Sequence, residues 1–293
     1  MAKIIGLGHY VPDRYIANRE ISDNPIWVEE TLGIRERHVI TYGESTSGLA
    51  TVAGMKAMEN AGIDKVDVII VATSTPDKVA PSTASLVMKR LNQQCASFDV
   101  NVVCSGFLFA LALGDSLINS GADHVLVIGA DTYSTITDWE SRDCIFFGDG
   151  AGAVVLTHGN NVKSVYITGA EGNAFVCEHN GKFRMKGSDV YDAALDLIPK
   201  AIDYVLKDSG YTIDKIDYFT PHQPSTRVLY GIADKIGLPR YKVLMNLDKY
   251  ANTSAGTIPI LLSEKWPLFQ AKDKLLMAAI GSGWAYGAII YEV

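Results

Sequence analysis

The segment Ala61-Gly62-Ile63-Asp64-Lys65-Val66-Asp67-Val68-Ile69-Ile70 returns later in the chain as Ser209-Gly210-Tyr211-Thr212-Ile213-Asp214-Lys215-Ile216-Asp217-Tyr218-Phe219. A second segment, Asp123-His124-Val125-Leu126-Val127-Ile128-Gly129, returns as Asp273-Lys274-Leu275-Leu276-Met277-Ala278-Ala279. Asp67 pairs with Asp217 and His124 with Lys274, each 150 residues apart. Two echoes at one offset predict a duplicated unit. The polar run Thr157-His158-Gly159-Asn160-Asn161 predicts the boundary, giving an N-terminal half at 1–160 and a C-terminal half at 161–293. Around the echoes, short β-branched runs alternate with helical patterns, the signature of α/β layers. Strands are expected at 3–8, 67–72, 97–103, 124–129 and 151–157, and helices at 45–61, 82–91 and 106–120. Ser82 is the expected N-cap of the second helix. Each half is too rich in sheet to cover itself, so the two should pack into a layered whole.

The chain has 293 residues, 48% of them hydrophobic and 20% charged, which excludes disorder, collagen and a coiled coil. No apolar run approaches the ~18–20 residues of a membrane span. The opening Met1-Ala2-Lys3-Ile4-Ile5-Gly6 leaves no room for a signal peptide before a strand, so a cytoplasmic protein is expected, with no membrane contact. Cys95, Cys104, Cys144 and Cys177 show no CxxC spacing, and neither HExxH nor an EF-hand occurs; reduced thiols and no metal follow. The net charge of −7 comes without a basic stripe, which argues against nucleic acid.

Three residues stand out for chemistry. Cys104 follows the apolar run Phe98–Val103 and precedes Ser105-Gly106 and an apolar helical pattern. At a helix N-terminus, exposed N–H groups and the dipole favour the thiolate, which predicts a thiol more reactive than the other three. A buried, inert cysteine fits the same position equally well. His222 lies between Pro221 and Pro224 at the end of a repeated strand, where sites are built in α/β layers. Asn252, followed by Thr253-Ser254 before a helical run, reads locally as a capping signal. Two glycine clusters differ in their setting. Gly148-Asp149-Gly150-Ala151-Gly152 precedes a strand, the wrong context for a phosphate loop. Gly281-Ser282-Gly283 follows a strand and suits close backbone approach to a ligand, with Ser282 as a backbone donor.

Taken together, Asp99–Leu108, Pro221-His222-Gln223 and Asn252–Pro259 resemble, in order, the nucleophile, histidine and asparagine segments of the β-ketoacyl-acyl-carrier-protein synthase III family of the thiolase superfamily. Gly33–His38, Phe147–Ala153 and Gly281–Gly283 extend the likeness along nearly the whole chain. The resemblance implies a thiolase-like duplicated αβαβα fold and a condensing enzyme without metal or organic cofactor. Cys104 would take an acyl group from a coenzyme A or carrier-protein thioester. The N–H groups of Cys104 and Ser282 would form the oxyanion hole, and His222 and Asn252 would stabilise the enolate left when a malonyl thioester loses carbon dioxide. It further implies substrate contacts at Trp27, Arg142 and Gly187, carrier-protein docking at Arg227 and Lys235, and a homodimer. Ala80 would lie on a loop that reaches across the dimer to the partner's acyl pocket, where its small side chain leaves room for acyl groups longer or bulkier than acetyl. Acyl transfer without decarboxylation, or a silent partner subunit of a ketosynthase pair, would use the same fold.

Overall fold

The computed structural model describes residues 1–179 and 181–293. A five-stranded sheet runs in the order Ala2–Tyr10, Asp149–His158, Val125–Thr132, Val68–Ala72, Ala96–Val100. Its first two pairings are antiparallel and its last two parallel. A four-stranded sheet repeats the arrangement as Val162–Gly169, Ala285–Glu292, Lys274–Ile280, Tyr218–Phe219. The counterpart of the fifth strand shrinks to a single bridge between Phe219 and Val243.

The sequence echo has a structural cause. Asp67 N donates to His124 O at 2.9 Å, and Asp217 N donates to Lys274 O at 3.0 Å. In return His124 N donates to the Asp67 carboxylate at 2.9 Å, and Lys274 N to that of Asp217 at 2.8 Å. Each aspartate thus starts a parallel strand pair by accepting an N–H that the ladder leaves unpaired.

Between the sheets lie two helices, Gly106–Asn119 and Thr257–Lys265. Phe107, Leu108, Leu111, Ile258 and Leu262 bury here against Ile70, Val127 and Leu156 of one sheet and Leu275, Met277 and Ile289 of the other. Outside the first sheet, Thr46–Ala61 and Thr83–Arg90 cover Ile69, Val71, Leu126 and Ile128. Outside the second, Gly187–Ser209 and Thr226–Ile236 cover Phe219, Leu276 and Ile290. The layers are therefore αβαβα. Ser45 and Ser82 cap the two outer helices of the first half by accepting from Gly48 N and Ser85 N. No helix among the described residues is long and apolar enough to cross a membrane.

One strand departs from the sequence reading. The run expected at 97–103 ends at Val100, and Val103–Ser105 is a 3-10 turn in which Val103 has φ 50°. Ser254–Gly256 forms the matching turn before the other central helix, with Ser254 at φ 51°. Glycines receive both turns, Gly281 just past the end of Lys274–Ile280 and Gly129 within Val125–Thr132. A Cβ on Gly281 would fall 2.3 Å from Val102 O, and one on Gly129 would fall 2.0 Å from Ala255 O. The backbone of each half thereby touches the central turn of the other, which brings Cys104 beside the Asn252 segment. Gly129→Ala is expected to lower stability by about 3 kcal/mol, as overpacking against an immobile backbone does. An unfolding free energy from denaturant titration within ~0.5 kcal/mol of wild type would refute this contact.

Candidate active site

Cys104 opens into a cavity of about 480 Å³ that His222, Asn252 and Ser282 also line. Trp27, Gly187 and Arg227 line the same cavity, whereas Arg142, Ala80 and Lys235 do not. Arg142 is exposed at the start of a 3-10 turn, Ala80 sits on an exposed loop, and Lys235 is exposed on Thr226–Ile236.

His222 is held by extension of its strand. Thr220 N donates to Leu276 O at 2.8 Å and His222 N to Ala278 O at 2.9 Å. The Gln223 amide then donates to Pro221 O and accepts from Asn246 N, fixing the turn. Thr257 Oγ1 donates to Ser254 O at 2.9 Å and lies 2.8 Å from His222 Nδ1. A hydroxyl carries one proton, so it accepts from Nδ1–H, and Nε2 keeps its lone pair. Burial depresses the imidazole to about 3, so His222 is neutral.

Asn252 is fixed through both its backbone and its side chain. Its N–H donates to Phe146 O and its carbonyl accepts from Gly148 N, both at 3.0 Å. Ser254 N donates to Oδ1 at 2.7 Å. The bond is a local turn bond and not the helix cap read from sequence, since Thr253 and Gly256 hold the N-cap positions of the two following helices without a side-chain cap. It leaves the Nδ2 hydrogens as the free donors of this side chain.

Cys104 departs from expectation. Burial, aided by the nearby carboxylate of Asp131, pushes its thiol up to about 12. Hydrogen bonding near Ser254 and Asn252 offsets only part of this. Desolvation outweighs the helix terminus, and in the free protein Cys104 is a thiol rather than the reactive thiolate that its position suggested.

Several residues here escaped the sequence reading. Asp131 is fully buried, accepts from Thr73, Ser74 and Thr75 through Oδ1, and holds Ala255 N through Oδ2. It anchors the Ser254 turn beneath Cys104. Phe147 and Phe175 line the cavity's apolar wall, backed by Tyr133 and Phe183, with Tyr133 stacked on Phe147 at 4.3 Å and Phe183 edge-on to Phe147 at 4.9 Å. At the mouth, the Arg227 guanidinium lies 4.8 Å over the Tyr191 ring, a cation–π contact. Thr257 had one sequence signal: it follows Asn252 by five residues in the segment already singled out.

A thiol, a neutral imidazole and a carboxamide facing one mostly apolar chamber can hold an acyl thioester and transfer its acyl group. The family model for 3-oxoacyl-[acyl-carrier-protein (ACP)] synthase III matches residues 98–172, and its C-terminal counterpart matches 206–293. The β-ketoacyl-[acyl-carrier-protein] synthase III of Rhizorhabdus wittichii is 40% identical, over 98% of each chain. That of Hyphomonas neptunium is 39% identical, over 99% of this chain and 98% of that one. The crystal structure of 3-oxoacyl-[acyl-carrier-protein] synthase III from Aquifex aeolicus superposes with a TM-score of 0.96 at 35% identity, covering all of both chains. The priming β-ketosynthase of the R1128 polyketide pathway gives a TM-score of 0.92 at 25% identity, over 100% of this chain and 96% of that one. With a thiolase-like fold and full-length relatives of one kind, the chain belongs to the β-ketoacyl-[acyl-carrier-protein] synthase III family, acyltransferases that act as condensing enzymes in fatty-acid biosynthesis.

Proposed function

We propose that Cys104, His222 and Asn252 are the catalytic residues of a two-stage decarboxylative condensation. The observation that carries this reading is the convergence of the three on one cavity, with the ring tautomer and the amide orientation each set by a hydrogen bond. In the first stage the Cys104 proton passes to His222 Nε2, and sulfur attacks the acyl thioester carbonyl. The N–H groups of Cys104 and Ser282 stabilise the oxyanion. The donor's carbon–sulfur bond breaks, and its thiolate leaves with the proton from Nε2.

In the second stage a malonyl thioester binds. Asn252 Nδ2 and His222 Nε2–H donate to its thioester oxygen. For this the ring must change tautomer between the stages: it gives its Nδ1 proton to water and takes one from water at Nε2. The Thr257 hydroxyl, turned from Ser254 O to Nδ1, then donates to the bare nitrogen and holds that form. Loss of carbon dioxide then gives an enolate that both donors stabilise. Its carbon attacks the acyl-Cys104 carbonyl, the carbon–sulfur bond breaks, and a β-ketoacyl thioester departs while the Cys104 thiolate takes a proton from water.

Around this centre, Trp27, Gly187 and Arg142 are proposed to contact the substrate, and Arg227 and Lys235 the carrier protein. The protein is proposed to act in the cytoplasm as a homodimer in which the loop with Ala80 reaches the partner's acyl pocket and its small side chain leaves that pocket deep enough for groups longer than acetyl, with the halves dividing at 160/161. Intact mass measured after mixing with acyl-CoA and acyl-carrier-protein donors tests the first stage. The expected result is one acyl adduct on Cys104, absent in Cys104→Ala. Carbon dioxide release from a malonyl thioester tests the second. Adducts without carbon dioxide would leave simple acyl transfer, and no adduct with any donor would leave the silent-subunit reading.

A further inference from the structure

The chamber wall opposite the central turns comes from an irregular segment. Phe175–Val176 and Arg184–Met185 form a two-stranded ribbon with Phe175 opposite Met185. Among the described residues, Phe183 N donates to Ile136 O at 3.1 Å, and Lys186 N to Ala174 O at 2.8 Å. A side chain makes the tie to the Gly281–Trp284 turn. Ser282 Oγ donates to Phe175 O at 2.6 Å. Trp284, whose φ is 47°, presses its indole on Gly172, where a Cβ would fall 1.5 Å from Nε1. Phe175 in turn stacks on Phe183 at 5.4 Å and meets Phe147 edge-on at 6.0 Å.

We infer that Ser282 is a specificity-determining residue whose hydroxyl fixes the span between the oxyanion turn and the Phe175 wall, and so sets the size of acyl group the enzyme accepts. The inference rests on the condensing chemistry proposed above. An acyl carbonyl in the oxyanion hole is pinned at one end by the Ser282 N–H, and its tail runs toward the aromatic wall. One residue thus holds both ends of the measure. A tail too long for the span must displace Phe175, and that breaks the Ser282 bond. Without the hydroxyl, long tails no longer break a hydrogen bond that short ones leave intact.

The test compares Cys104 acylation rates along a series from acetyl-CoA to decanoyl-CoA, read by intact mass, with hydrogen exchange at residues 175–185. Ser282→Ala is expected to raise the decanoyl-to-acetyl rate ratio about fivefold, the worth of one ordinary hydrogen bond, and to speed exchange in the ribbon. Ser282→Thr, which keeps the hydroxyl, should restore both. Gly172→Ala, whose Cβ drives the segment off Trp284 and so pulls Phe175 O away from the Ser282 hydroxyl, should raise the same ratio, and serves where Ser282→Ala does not fold. A wild-type ratio in Ser282→Ala, or a shift in Ser282→Thr as large as in Ser282→Ala, overturns the inference while leaving the condensing reading intact. If no donor acylates the wild type, the condensing reading fails. The exchange comparison then still decides whether the hydroxyl holds the wall, and unchanged exchange rules that out.

Discussion

His222→Ala is expected to lose malonyl decarboxylation by roughly 10²-fold or more, the usual cost of one oxyanion donor in a dry site. Asn252→Ala should lose a similar factor by the same argument. The loss should exceed any slowing of Cys104 acylation in Asn252→Ala, because the carboxamide is needed only once negative charge builds on the malonyl oxygen. His222 is different, since Nε2 takes a proton in the first stage and gives a hydrogen bond in the second. His222→Ala should therefore slow both half-reactions. Thr257→Val separates the two roles: it removes the group that receives or supplies the proton at Nδ1 while leaving the ring in place. Decarboxylation in Thr257→Val should fall by about tenfold, and Thr257→Ser should recover most of it. Half-reactions followed separately, by intact mass and by carbon dioxide release, check the scheme. Decarboxylation at the wild-type rate in His222→Ala removes that residue from the mechanism.

Much of this could be read from the sequence because the physics that shaped it is local. The aspartates at 67 and 217 each accept the N–H that begins a parallel strand pair, so duplication preserved them even where neighbouring side chains changed. The apolar strands and capped helices followed from periodicity. The end of the strand before Cys104 did not. Val102 and Val103 are β-branched and read as strand, yet the chain turns there with Val103 at φ 50° because the turn docks on Gly281 of the other half. That contact joins residues far apart in sequence. The same holds for the chamber. Phe175 and Phe183 lie in a segment with no period to read, and only the folded chain brings them to Phe147. Cys104, His222 and Asn252 each kept an ordinary structural reading when taken alone. Their order along the chain, matched to a family, singled them out. Local reasoning also erred on the cysteine's charge. It weighed the helix terminus and had no means to weigh burial or the Asp131 carboxylate, which belongs to another strand.

That error has a measurable consequence. Only the thiolate reacts with iodoacetamide. With the thiol pushed up to about 12, the thiolate fraction of Cys104 grows about tenfold for each pH unit throughout the neutral and mildly alkaline range. Inactivation of the free protein should therefore accelerate steadily from pH ~6 to ~10, by about 10⁴ in all, with no plateau. His222 contributes no inflection there, because at about 3 it is already neutral below that window. Among the described residues that line the cavity, Arg227 is the one cation near enough to the chamber to favour a thiolate, and it is held over Tyr191 at the mouth. Asp131→Asn removes the buried negative charge and should shift the whole profile to lower pH, so that at any fixed pH the variant is alkylated faster than wild type. The two causes separate above pH ~10, where the curve bends: Asp131→Asn should bend at lower pH than wild type, whereas a merely structural loosening around Cys104 would speed alkylation without moving the bend. A wild-type profile that levels off near pH 7 would mean that the helix terminus prevails over burial and that Cys104 rests as a thiolate.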